Sequence, residues 1–559
     1  MSAPRPSVES LEARSLFSTA SVPWLAEPVV AAAAPVTVRT ATPAPAAATS
    51  TATRLLGGVP QFQNETTQDH ALVDLVKTSS GFKNLSGGKA TTGASGWPTQ
   101  DFVVPLWTSS RVPAGRYNMS FNGPKDVLAV ATYVPPSGKP GIKVARVSYN
   151  ATTGLHTFTV DVPANVYNLT LRFTRTGGQV RNLKVFQPGY ALSSTQAFTT
   201  RYVTFLKSFK PDTLRTLDLM RVNDNTTSTW AQRPQTTDAT YARAGIPWPL
   251  MVQLCNAVGA NLWACVPARA TDDYVNNLAT LLRTTLRPDL KIYVEYGNEM
   301  WAQRFGQGSW NKAQAEAEVA AGGSNLNYDG DADPYDWGDR RTARRLKQIS
   351  DILEQNWLAA GQPSPINDRV RCVLGGQAAR PWRVDQMLKF IDDQYNDPKD
   401  DFWSVGIATY WQLGQYQDVQ LPDGTWDAPN KALTVDQVIE GMTASIKDYE
   451  DRQVFAEHVA HAAAYGLKLD CYEIGVDTHG PFNLAAKRAA SLDPRMGGLM
   501  TRFLNDFYDQ GGSLANWYTL GGRAYDTPSG TWAITSDINS LNQPKEQAYR
   551  TYRGLVPTV

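Results

Sequence analysis

Three textures of hydrophobic and polar positions follow one another along this chain. Residues 1–57 are rich in Ala, Pro, Thr and Ser and show almost no periodicity, which predicts a leader and a flexible linker. From 58 to 190 short apolar runs alternate with polar positions and end at Gly, Pro or Asn. Examples are Phe102–Trp107, Asp126–Tyr133, His156–Val162 and Val166–Phe173. Alternation of this kind predicts half-buried strands, and strands at this spacing predict a β-sandwich.

After about residue 195 apolar strand runs alternate with helical stretches. The strand candidates are Leu214–Arg221, Asn261–Pro267, Lys291–Glu299, Val370–Gly376, Phe402–Tyr410, Leu467–Glu473 and Ser513–Leu520. Helices are expected over Asp272–Thr285, Arg341–Ala360 and Val454–Tyr465. Seven strand–helix units are one short of the eight that close a parallel barrel. A first strand near Gln61–Asn64 would complete it and make the sandwich an insertion. The expected fold is thus an α/β (β/α)8 TIM barrel over 191–559 with an inserted or N-terminal β-sandwich over 58–190. A doubly wound open sheet is the alternative, but no Gly-rich phosphate loop accompanies it.

Composition narrows the partners. Lys and Arg number 53 against 52 Asp and Glu, a balance unlike that of a nucleic-acid or anionic-membrane binder. No run approaches a membrane span. A neutral partner fits, and 16 Trp with 23 Tyr suit an uncharged poly- or oligosaccharide, whose C–H faces stack on aromatic rings; the same rings also serve as core. Four cysteines, at 255, 265, 372 and 471, form no CxxC pair. Buried free thiols are expected, with a Cys255–Cys265 disulfide as the alternative. The segment Leu11-Glu-Ala-Arg-Ser-Leu16 resembles a leader of secreted bacterial proteins, so a secreted or cell-surface location is expected. Six Asn-x-Ser/Thr sequons begin at Asn64, Asn84, Asn118, Asn150, Asn168 and Asn225.

Reactive groups of such barrels sit at the carboxyl ends of strands. Two glutamates qualify: Glu299, ending Tyr293-Val-Glu-Tyr-Gly-Asn-Glu, and Glu473, ending Leu469-Asp-Cys-Tyr-Glu. Acetal hydrolysis needs one acid to protonate the leaving oxygen and one carboxylate to meet the oxocarbenium-like carbon. Carboxyls about 5 Å apart give retention of configuration.

The Gly-Asn-Glu strand ending followed by Met-Trp301 resembles the strand-4 signature of clan A retaining glycoside hydrolases, of the family 5-like cellulase and mannanase type. Tyr472-Glu473-Ile-Gly is similar to their strand-7 ending. The resemblance implies Glu299 as acid/base, Glu473 as nucleophile and Asn298 as a contact to the sugar 2-hydroxyl. It further implies Arg221 as the arginine orienting the nucleophile, Tyr410 as a pocket tyrosine and Trp517 as the floor under the sugar. Trp301 and His479 are further candidate substrate contacts. The pattern departs from that family where Pro267-Ala-Arg269 stands in place of a strand-3 His, and where Ala408-Thr-Tyr410 replaces His-x-Tyr. A long insertion, about 307–337, is expected to fill the wide interval between the glutamates.

Two metal-like patterns are read as surface features. Asp329-Gly-Asp-Ala-Asp333 begins like a calcium loop but has Pro334 where Gly is needed and Arg340 at position 12. Glu457, His458 and His461 lack the His-Glu-x-x-His order. The expected activity is therefore a metal- and cofactor-independent, monomeric retaining hydrolase of a β-linked glycan, the β preference resting on the resemblance. The alternative is a non-catalytic carbohydrate-binding or cell-surface protein on a degenerate barrel.

Overall fold

The computed structural model describes residues 54–555 except 135–142, 422, 428–431 and 523. The leader motif and nearly all of the expected linker lie outside the described residues. Among the described residues no helix is long and apolar enough to cross a membrane.

Strand β1 (Leu55–Val59) opens the barrel. The sandwich follows with β2 (Phe102–Val112), β3 (Gly115–Asn122), β4 (Leu128–Val134), β5 (Lys143–Asn150), β6 (Leu155–Val162), β7 (Val166–Thr174) and β8 (Arg181–Phe186). The barrel resumes with β9 (Thr213–Arg215), β10 (Asn261–Val266), β11 (Ile292–Tyr296), β12 (Val370–Gly375) and β13 (Ser404–Trp411). A two-stranded ribbon, β14 (Val419–Gln420) and β15 (Trp426–Asp427), precedes β16 (Lys468–Val476) and β17 (Leu514–Tyr518). The eight barrel strands close in the order β1-β17-β16-β13-β12-β11-β10-β9, every pair parallel.

Helices α1 (Thr200–Phe209), α2 (Trp248–Val258), α3 (Asp272–Thr285), α4 (Gly306–Ala321), α5 (Pro334–Ala359) and α6 (Pro381–Gln394) connect the strands up to β13. Then come α7 (Val435–Arg452), α8 (Val454–Ala464), α9 (Leu484–Ser491), α10 (Arg495–Asp509) and α11 (Pro544–Tyr552). Helix α3 shows why these segments are helical. The Thr271 hydroxyl caps it by accepting from Tyr274 N, Asp272 and Asp273 oppose the dipole in its first turn, and Tyr274, Val275, Leu278, Ala279 and Leu282 bury one face. Strand β16, covered on both faces, is buried over Leu469–Val476, as parallel barrel strands must be.

In the sandwich, β2-β7-β4 and β5-β6-β3-β8 form two antiparallel sheets. Burial along β6 alternates strictly at His156, Phe158, Val160 and Val162. Phe173 of β7 lies edge-on to Phe121 of β3, 5.3 Å between centroids, joining the two sheets through one core. The sandwich packs on loops at one flank of the barrel mouth. Tyr241 N donates to Lys77 O, Val73 N to Ala197 O, and Gln68 N to Gly522 O.

Several expectations are corrected. The first barrel strand is Leu55–Val59, across the expected boundary between linker and sandwich at residues 57 and 58, and Gln61–Asn64 is loop. Gly57 explains the oversight: a Cβ there would lie 1.9 Å from Thr213 Oγ1 and 2.4 Å from Asn516 Oδ1, so the close approach of β1 to β9 and β17 demands the glycine that makes the segment look like a linker. The strand expected over Leu214–Arg221 stops at Arg215. The expected insertion at 307–337 is largely two packed helices, α4 and the start of α5. The cysteine expectation holds: all four are buried free thiols, and the alternative Cys255–Cys265 bridge is absent.

Candidate active site

Four residues of the barrel interior form one buried network. Arg215, at the end of β9, donates from Nε and Nη2 to both oxygens of Glu295 on β11, at 2.9 and 2.8 Å. Its Nη1 donates to Glu473 Oε1 at 2.7 Å, and Nη2 also reaches Asn298 Oδ1 at 2.8 Å. Arg215 is fully buried and lies 4.9 Å from the centroid of the Tyr472 ring. Burial opposes its charge, but Glu295 and Glu473 offset this and raise its pKa well above the usual value. A guanidinium suits the position because its fork serves several acceptors at once without losing its proton. Trp263 Nε1 adds a bond to Glu295 Oε2 at 2.8 Å.

Glu473 is thus held from below by Arg215. Its other oxygen, Oε2, accepts from the Tyr410 hydroxyl at the end of β13. Burial, and then the Glu473 charge, push the Tyr410 pKa well above the ordinary range, which keeps it a donor.

Glu299 is placed differently. The chain leaves β11 through Gly297, at φ +68°, where a Cβ would lie 2.3 Å from Met300 Sδ, and Glu299 itself adopts φ +43°. A left-handed glutamate is uncommon and costs on the order of 1 kcal/mol or more, so it persists only where its surroundings impose it. Here Asn298 anchors the turn. Its side chain accepts from Arg215 and donates to Asn223 Oδ1 at 2.9 Å, while Gln307 Nε2 at the start of α4 bonds Asn223 Oδ1 and Asn298 O. Glu299 Oε2 accepts from Arg304 Nη2 at 2.9 Å; Oε1 is buried without a hydrogen-bond partner. Burial raises the Glu299 pKa to about 7; Arg304 opposes that rise, and the Glu473 charge adds to it. The two carboxyls therefore feel one another.

The structure brings Glu299, Glu473, Asn298 and Tyr410 into one cluster. Trp301 adjoins it, its Nε1 donating to Tyr472 Oη at 3.2 Å. His479 stands beside it: its ring meets Trp426 of β15 edge-on at 4.9 Å, and its N–H donates to Asp477. Two expected residues are displaced. Arg221 makes no hydrogen bond to either glutamate; its Nε donates to Ala242 O and its guanidinium covers Phe62. The arginine on Glu473 is Arg215. Trp517 is fully buried on the outer face of β17, 5.5 Å from Trp411, and donates to Trp532 O at 3.1 Å. It cannot lie under a sugar. Trp532 takes the site-facing position, edge-on to Tyr410 at 5.3 Å and to Tyr518 at 5.2 Å.

Arg215, Glu295, Arg304, Trp532 and Asp477 were not expected from the sequence. For Arg215 and Glu295 a signal existed, since each is a charged residue inside an apolar strand run and each therefore needs a partner. The metal-like patterns are otherwise occupied: Asp329 and Asp331 pair with Arg340, His458 Nε2 meets Ala378 O, and His461 Nδ1 meets Asp385; against the expectation of a surface feature, His458 is fully buried. Among the described residues no group of three or more His, Cys, Asp or Glu could hold a metal ion.

No protein-family model matches the chain, and no curated protein does. Similar solved structures include the α-L-arabinofuranosidase of Thermotoga maritima in an arabinose complex, 14% identical over 65% of each chain with a TM-score of 0.36. The family 51 α-L-arabinofuranosidase of Thermotoga petrophila RKU-1 is 14% identical over 65% of each chain, with a TM-score of 0.35. A psychrophilic family 10 endo-β-1,4-xylanase is 9% identical over 63% of this chain and 93% of its own, with a TM-score of 0.29. This chain thus spans 65% of the length of the two arabinofuranosidases. The structural neighbours of this barrel include glycoside hydrolases of families 51 and 10 at low identity, whereas the family 5-like resemblance remains one of strand-end motifs.

Proposed function

We propose that this chain is a retaining glycoside hydrolase of a β-linked poly- or oligosaccharide, with Glu299 as acid/base and Glu473 as nucleophile. One observation carries the reading. Two buried carboxyls interact across the barrel mouth, one oriented as an acceptor by Arg215 and Tyr410, the other pushed to a pKa of about 7. Unlike environments for two like groups are how one site holds an acid and a base together.

Protonated Glu299 gives its proton to the glycosidic oxygen as the C1–O bond breaks and the electron pair leaves with that oxygen. A Glu473 oxygen supplies the pair that forms the new C1–O bond. Water then attacks C1, loses a proton to Glu299, and displaces Glu473. One arginine against two acids, Arg215 with Glu295 and Glu473, leaves a formal negative charge beneath the carbon that becomes positive. Trp532 and Trp301 would flank the sugar rings. Export of the protein belongs to the same proposal and rests on the Leu11–Leu16 resemblance.

The test is hydrolysis of a panel of β-glucans, mannans, xylans and arabinofuranosides, with product anomers followed by proton NMR. Retention is expected. Glu473→Gln should lower turnover on the order of 10⁵-fold or more, and Glu299→Gln by about 10²–10⁴-fold on unactivated substrates. Unchanged turnover in Glu473→Gln would remove the nucleophile. Glycan binding without any hydrolysis would favour a carbohydrate-binding barrel.

A further inference from the structure

Glu299 is gripped by a residue outside the Arg215 network. Arg304, five positions on in the same turn, places Nη2 2.9 Å from Glu299 Oε2, with its side chain 30% exposed and that of Glu299 fully buried. The guanidinium lies against the neighbouring Phe305 ring, 4.8 Å to the centroid. Oε1 of Glu299 has no hydrogen-bond partner although it is buried, and an orphaned buried oxygen in a strained turn calls for an explanation.

The donor inventory supplies one. A guanidinium carries only donors and keeps its protons. An oxygen that accepts from it is therefore a poor place for an acidic hydrogen, and the proton of a neutral Glu299 belongs on the other oxygen. We propose that Arg304 is a positioning residue that fixes Glu299 through Oε2 and thereby reserves Oε1 for the proton handed to the leaving group. The inference rests on the acid/base reading above and adds to it which oxygen works and what holds it. The bond also fixes the carboxyl plane, so that the working oxygen keeps one direction through both steps of the reaction.

The other charged and titratable groups around this pair come from separate elements. Glu473 and Arg215 act on Glu299 from β16 and β9, and the Tyr410 and Tyr472 hydroxyls feel its charge from β13 and β16. Beyond Arg304 stands Asp477, raised to about 7 by burial, with the His479 N–H, then Lys487 and then Arg304 lowering it and Gln412 donating to it at 3.5 Å. Of these groups only Arg304 donates a hydrogen bond to Glu299.

The experiment compares Arg304→Met and Arg304→Lys with the parent enzyme. Losing the cation removes the largest influence that opposes protonation, so the alkaline limb of the kcat/KM profile should move up by about one pH unit in Arg304→Met. kcat/KM on an unactivated glycoside should fall about 10–100-fold, because proton transfer is then misaligned. On an aryl glycoside whose leaving group needs no proton it should stay within about threefold. Lys keeps the charge without the planar fork, so it should restore the pH limb and only part of the rate. A merely structural arginine would lower both substrates alike and leave the limb in place, which would overturn the proposal. A second readout needs no turnover: the titration of Glu299 by carbon-13 NMR in glutamate-labelled protein, assigned with Glu299→Gln. An upward move in Arg304→Met upholds the grip even if no glycoside is cleaved, in which case only the hydrolase reading fails; an unmoved titration overturns the grip itself.

Discussion

The floor and the rim of the barrel mouth hold the same side chain under opposite regimes. On the floor, Glu473 sits within a strand, and both its oxygens are bonded to groups from other strands, Arg215 and Tyr410. On the rim, Glu299 sits in a left-handed turn, bonded through one oxygen to a partly exposed arginine only five residues away. Both carboxyls are buried, but Glu473 is bonded by groups far apart in sequence, whereas the Glu299 carboxyl is bonded by a sequence neighbour. A nucleophile that must meet one carbon gains from the first arrangement. A group that must lose and regain a proton gains from the second, because a fully bonded oxygen has nowhere to put one.

The sharpest way to break this contrast is Arg215→Met. It strands Glu295 and Glu473 as uncompensated buried acids and should destabilise the protein by about 3–5 kcal/mol in urea unfolding, besides abolishing turnover. Arg221→Met should leave the kcat/KM of the folded enzyme within about threefold, since Arg221 touches neither acid. If Arg221→Met proved the more damaging to turnover, the floor would have to be redrawn around it.

Trp517→Ala comes next and sharpens the boundary between packing and site. Deleting a fully buried indole should cost about 3–5 kcal/mol, with KM of the folded enzyme little changed. Trp532→Ala should instead raise KM on the order of tenfold. An exchange of these two outcomes would return Trp517 to the substrate.

The smallest effect is a pH dependence of stability. Glu299 and Asp477 are both raised to about 7, burial being the first cause in each. A carboxyl whose pKa is higher in the folded than in the unfolded state contributes stability below its unfolded value near 4, and that contribution is lost as pH rises through 7. Glu299→Gln removes one such group, so it should unfold at higher urea than the parent at pH 8 and at nearly the same urea at pH 4.5, a gain of about 1–2 kcal/mol. Equal urea midpoints at pH 8 would mean that the rim imposes no burial cost on Glu299.

What the sequence disclosed follows the same division. Glu299 and Glu473 stood out because each ends an apolar run, and the sandwich strands because their faces alternate. Arg215 stayed hidden because β9 is only three residues long and the apolar run continues past it to an arginine that looked equally suitable. Trp517 was misplaced by one step of a two-residue period: Asn516, bonded to Thr213, faces the barrel interior, so its neighbour must face the helices. Arg304 left no periodic mark, since a turn that is organised by a bond to the glutamate before it has no face to read.

Strand β1 has one further consequence, for assembly. It pairs over all five residues with β17, Leu55↔Leu514 through Val59↔Tyr518, and at a single position with β9. During synthesis it leaves the ribosome early yet waits for almost the whole remaining polypeptide before its main neighbour exists. Contacts of such sequence separation are slow to form, and an unpaired edge kept open in the meantime invites foreign pairing. The sandwich, complete in itself once residue 186 has emerged, can fold in that interval and stand guard beside the open seam.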